Sequence, residues 1–118
     1  MSYISGFVIA VPTANKEVYR AHAAKAAEFF KEYGVLEIME AWGVDVKDGK
    51  VTDFKRAVQC EDDETVVFSW MVWPDKATAD AGEKKMMEDT RMQAMMDMPF
   101  DGKRMVFGGF EPLFEMGR

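Results

Sequence analysis

The chain has one cysteine, Cys60, and one histidine, His22, among its 118 residues. A single thiol excludes an internal disulfide, and one imidazole beside one thiol leaves too few ligands for a conventional zinc site. No metal and no cofactor is therefore expected. No apolar run approaches the roughly 18 residues that a membrane span needs. No basic stretch precedes an apolar core at the N-terminus either. A cytoplasmic protein with no membrane partner is the expectation. Positive charge is scarce too: 15 Lys and Arg against 21 Asp and Glu give a net charge of -6. Such a surface repels a phosphate backbone, so no nucleic-acid partner is expected. Phosphate-cradling glycine loops, nucleophile elbows and dinucleotide fingerprints are missing as well.

What is present is a globular composition, 48% hydrophobic and 31% charged, in a length that fits one domain over residues 1–118. Residues 3–11 are β-branched and aromatic, and Pro12 ends that strand. Tyr19, Ala23, Ala26, Phe30 and Tyr33 then recur at helical spacing over 15–33. Thr13 or Asn15 is placed to cap this helix, and Gly34 to end it in the left-handed conformation. Strands are expected over 35–46, 54–60 and 65–73, with Asp48-Gly49 as a turn and the acidic run 61–64 as a solvated one. A second helical region spans 75–98, broken near Thr90, and residues 103–114 form the last strand. The methionines of 86–98 suit packing in irregular gaps.

This order gives an α+β, ferredoxin-like antiparallel sheet with two helices on one face. A true hairpin of 54–60 with 65–73 would break the strand parity, which points to one interrupted return limb. Two helices cover only one face, yet 3–11 and 65–73 are apolar on both sides. Four strands about 4.8 Å apart present roughly 500 Å² per face, near the upper end of what a monomer exposes. Joining two such faces removes about 1,000 Å², on the order of 25 kcal/mol gross against an association cost of about 4–15 kcal/mol. A homodimer through the sheet face is the expected partner. The alternative is that the acidic segment or the C-terminal tail folds over that face.

Candidate chemistry rests on few residues. His22 lies beside the apolar stripe of the first helix, either as a proton shuttle or axial ligand facing a cavity between helix and sheet, or as a partly buried, hydrogen-bonded imidazole or a simply exposed one. Glu40 shares a strand face with Leu36, Ile38, Trp42 and Val44, which places a carboxylate in a cavity, against a partner, or in solvent. His22 and Glu40 are the candidate catalytic residues, and Trp42, Trp70 and Tyr19 the candidate ligand contacts. Gly6 and Gly108-Gly109 inside strands mark a bulge or a shallow cavity. Cys60, without a basic neighbour in sequence, is not expected to be reactive.

Several stretches together resemble the YbaA-like family of uncharacterised bacterial proteins, domain-of-unknown-function family 1428. They are Gly6-Phe7-Val8, Glu40-Ala41-Trp42-Gly43, Asp48-Gly49-Lys50, 64–70, Lys85-Met86-Met87, and 98–105 with Gly108-Gly109-Phe110-Glu111. Two positions depart from the family pattern: Ala41 stands where members often carry cysteine, and Thr90 where proline usually precedes Arg-Met. The resemblance implies the dimeric α/β-barrel superfamily, and with it the dimer. The expected function is binding of a small apolar or aromatic molecule in a cavity between helix and sheet. The alternatives are a cofactor-independent monooxygenase or isomerase in the same cavity, and an interaction module without a ligand.

Overall fold

The ten residues of β1 (Tyr3–Pro12) alternate between two faces, and neither face is polar. In the computed structural model, which describes residues 2–93, 95 and 97–117, β1 lies inside a four-stranded antiparallel sheet. It pairs along its whole length with β3 (Glu64–Trp73), from Tyr3 opposite Trp73 to Pro12 opposite Glu64. Its other edge pairs with β4 (Val106–Phe110), and β3 pairs outward with β2 (Glu37–Trp42). The order is β2-β3-β1-β4. A strand hydrogen-bonded on both edges and walled on one side by helices favours the continuous apolar reading of β1 and β3.

Helix α1 (Lys16–Tyr33) follows a 3-10 turn over Thr13–Asn15. Neither expected cap makes a capping bond. The Thr13 hydroxyl pairs with that of Thr65, and the Asn15 amide donates to the Pro99 carbonyl at 3.1 Å. Gly34 closes the helix at φ 111°, in the left-handed region that favours glycine.

The segment expected as a strand over 54–60 instead opens with a short helix, α2 (Phe54–Ala57). Asp53 overrides the alternating pattern by accepting from the backbone of both Gly49 and Arg56, at 3.0 and 2.8 Å, which caps a helical turn. The parity problem disappears with that strand. Val58, 0% exposed, then packs with Ala10 and Val66, and Val46 and Cys60 lie against the same cluster. One end of the second sheet face is therefore covered by the connection 43–63, and the rest is open. Arg104, in a 3-10 turn at Gly102–Arg104, donates to the Gln59 carbonyl of this connection at 2.7 Å and pairs bidentately with Glu64 of β3 at 2.8 and 2.6 Å. Two other strands are shorter than expected. β2 stops at Trp42, beyond which Val44 is in solvent, and β4 runs only from Val106 to Phe110.

Helix α3 (Lys76–Glu88) starts at Asp75, whose carboxylate accepts from Thr78 N at 2.7 Å. It ends at Asp89, whose backbone is extended, before the single turn α4 (Thr90–Gln93). The break near Thr90 needs no proline, because Asp89 is pinned by the Tyr33 hydroxyl at 2.6 Å and by the Arg91 guanidinium. Of the helical region expected to 98, positions 94 and 96 lie outside the described residues; residue 97 is non-helical.

Both long helices cover one sheet face. Tyr33, Val35, Met71, Trp73 and Ala79 form one cluster there, and Ile9, Val11, Tyr19 and Val67 another. Trp73 is fully buried, its indole N–H donating to Ser5 Oγ at 3.0 Å. Gly82 of α3 lies against it, and a Cβ there would stand 2.6 Å from the indole and 3.3 Å from Tyr33 Cβ. Alanine normally gains about 0.5–1 kcal/mol over glycine inside a helix, but overpacking a tight core costs about 1–3 kcal/mol. Gly82→Ala is expected to be net destabilising, with a lower midpoint in urea unfolding; a higher midpoint would contradict this packing.

Candidate functional site

Glu40 of β2 lies opposite Ser69 of β3, and the register puts Ile38, Glu40 and Trp42 on the helix-covered face. β2 is an edge strand. The helix wall beside it is made of Ala23, Ala24 and Ala27, and their short side chains leave a cleft of about 300 Å³ between α1 and β2. That is the lower end of the volume that small-molecule sites occupy. The polar groups lining it are Lys16, Tyr19, Arg20 and Glu40.

The Tyr19 hydroxyl donates to Glu40 Oε1 at 2.6 Å, and the Ser69 side chain is hydrogen-bonded to the same carboxylate. Water reaches Glu40 through the open cleft. The methyl and ring groups around it still thin its solvation, and this burial raises its pKa above the usual glutamate value. The rise outweighs the lowering by Tyr19, Ser69 and the nearby His22. Tyr19 is held far above the ordinary phenol value by burial and by the facing carboxylate, so it remains a donor. Trp42 forms the flat wall at the end of β2, with the Lys16 ammonium 5.5 Å from its ring centroid.

Of the residues singled out from the sequence, Tyr19, Glu40 and Trp42 come together here. His22 does not line the cleft; its Nε2 is 3.0 Å from the Met95 carbonyl, which only accepts, so Nε2 carries the proton. Trp70 is on the opposite sheet face and cannot share a ligand with Trp42. Burial raises the Cys60 thiol, the reverse of activation. Lys16, Arg20 and Ser69 were not foreseen. Lys16 and Arg20 are one turn apart and flank Tyr19, a helical spacing that carried the signal.

A second concavity, about 480 Å³, occupies the open sheet face. Its walls are Ile4, Val8, Phe68, Trp70, Val106 and Phe110. Gly6 pairs with Gly108 at its floor in an unbroken ladder, so these glycines make no bulge. The Phe110 ring lies 3.4 Å from where a Gly6 Cβ would be. Among the described residues, this trough is lined by glycines and by aliphatic and aromatic side chains.

Among the described residues, no cluster of three His, Cys, Asp or Glu is arranged to hold a metal ion, and no helix is long and apolar enough to cross a membrane. The model of DUF1428, proteins of unknown function, matches residues 2–102. The chain belongs to the DUF1428 family. The uncharacterized protein YbaA of Escherichia coli K12 is 55% identical over 116 residues, covering 98% of this chain and 99% of the relative. YbaA of Shigella flexneri matches over the same extent at the same identity. Among solved structures, a dimeric ferredoxin-like protein from an uncultured marine organism superposes with a TM-score of 0.57 at 11% identity. That match covers 99% of this chain and 98% of the other. At that identity the likeness shows a shared fold. The ferredoxin-like α+β architecture read from the element order is thus the one observed.

Proposed function

We propose that this DUF1428 member is a cytosolic, single-domain homodimer that binds a small molecule in the cleft between α1 and β2. The observation that carries the reading is Glu40: a carboxylate with a raised pKa, aimed into a concave site and already oriented by Tyr19. A partly desolvated carboxylate in a cleft that water still reaches favours a ligand whose donor takes the place of the water it displaces. Native mass spectrometry of protein incubated with a cell metabolite extract tests this, with a retained small molecule expected.

The open sheet face supports the dimer. Phe68 and Phe110 remain 45% and 58% exposed on it, beside Ile4, Val8 and Trp70. The ferredoxin-like neighbour is dimeric, which supports a dimer without indicating its interface. A second copy is the proposed occupant because it presents an equally apolar face.

The enzymatic alternative, an isomerase or a cofactor-independent monooxygenase, is favoured by the same raised carboxyl, which suits a general base. It requires turnover that rises with pH as Glu40 ionises, whereas a pure binder turns nothing over. Nucleic acid is not a proposed partner: at physiological salt, gel-shift titration with a structured RNA should give a dissociation constant no tighter than about 10⁻⁴ M. A salt-sensitive submicromolar complex would overturn that exclusion.

A further inference from the structure

The cleft is lined by charges of both signs. Lys16 and Arg20 are on successive turns of α1, while Glu40 lies across from them on β2. Both cations line one concave site, in a chain whose net charge is -6. Arg20 shares its guanidinium with Glu17 only at 3.4 Å and in solvent, an arrangement worth little. The Lys16 ammonium has no carboxylate partner among the described residues and stands over the Trp42 ring. Between these charges the walls are Trp42, Ile38 and alanines, flat and apolar.

We infer that the cleft takes a small aromatic acid bearing a hydrogen-bond donor. Its ring lies against Trp42, its anionic group meets Lys16 and Arg20, and its hydroxyl or amine donates to Glu40. The inference rests on the proposal that the cleft binds a small molecule, and it names the class. At about 30 Å³ per water-sized volume, the cleft holds on the order of ten non-hydrogen atoms, one substituted ring. Glu40 accepts from Tyr19 and Ser69 and, with about four lone-pair sites, has capacity for one more donor. A cationic ligand is disfavoured, since two positive side chains face one carboxylate.

Calorimetric titration with three probes tests the class: 4-hydroxybenzoate, its methyl ester, and benzoate. The acid should bind at least tenfold tighter than the neutral ester, and at least tenfold tighter than benzoate, which lacks the donor. Lys16→Ala with Arg20→Ala should remove the first difference, and Glu40→Gln the second; circular dichroism checks that both variants are folded. The advantage of the acid should also shrink as salt screens the two cations. An ester that binds as tightly as the acid, or a difference that survives loss of both cations, overturns the inference and leaves the cleft a binder of neutral molecules. Failure of all three probes also overturns it. If the metabolite extract then yields no adduct either, the wider reading falls as well.

Discussion

Replacing Glu40 with glutamine should weaken ligand binding by about ten- to a hundredfold while leaving the protein at least as stable at pH 7. The affinity loss follows from exchanging a charged acceptor for a neutral one, where such hydrogen bonds are worth about 1.5–3 kcal/mol. The stability effect has the opposite sign. Burial raises the Glu40 pKa, so the folded protein holds its ionised form at a cost that glutamine does not carry. Below the unfolded value both forms are neutral and the cost vanishes; as pH rises through the folded value it appears in full. Thermal unfolding of Glu40→Gln against the parent should therefore show a Tm difference that favours the variant at pH 7 and closes as the pH falls below the usual glutamate range. A structural partner would behave otherwise: Glu40→Gln would lower the Tm and leave affinity alone. A residue that costs stability and serves binding is the pattern expected of a functional position.

The second large effect concerns the open sheet face. Light scattering at micromolar concentration should return about twice the 13.4 kDa chain mass. Phe68→Asp should return the monomer. Phe68 projects from the centre of that face, its ring centroid 5.8 Å from Phe54 and 5.6 Å from Trp70. An uncompensated charge buried there costs about 3–5 kcal/mol, and two-fold symmetry places it in the interface twice. The dissociation constant should rise by about a thousandfold or more. Phe68 also packs within its own copy, so Val106→Asp, on the edge strand of the same face, provides a second variant. A parent protein that scatters as a monomer, or variants that remain dimeric, would remove the sheet-face interface.

The fold was legible because its signals are local and redundant. Apolar residues on both sides of β1 and β3 specify interior strands, and Gly34 marks the end of α1 wherever the helix later packs. The failure at 54–60 has a specific cause. Alternation there competes with a single side chain, Asp53, whose two backbone bonds settle the segment as a helical turn. Strand ends were overextended for a related reason: β3 and β1 still offer backbone past Trp42 and before Val106, but Val44 turns out to solvent and Gly102–Arg104 forms a 3-10 turn tied to Glu64, contacts that the residues 43–46 and 103–105 do not reveal. The site was legible only in part. Helical periodicity placed Tyr19 on an inward face, but strand periodicity left Glu40 open between a cavity, a partner and solvent, and the contact between the two depends on how α1 lies over β2. Trp70 was misplaced because composition does not say which sheet face an aromatic occupies, and its pairing opposite Gly6 and Met39 decides that.

Native mass spectrometry of the parent protein and of Glu40→Gln, each incubated with the same cell metabolite extract, tests the central claim most directly. The parent should retain an adduct under about 200 Da, the size that some ten non-hydrogen atoms allow. The glutamine variant should retain little or none. An adduct held equally by both proteins, or by neither, would contradict a ligand site built around Glu40.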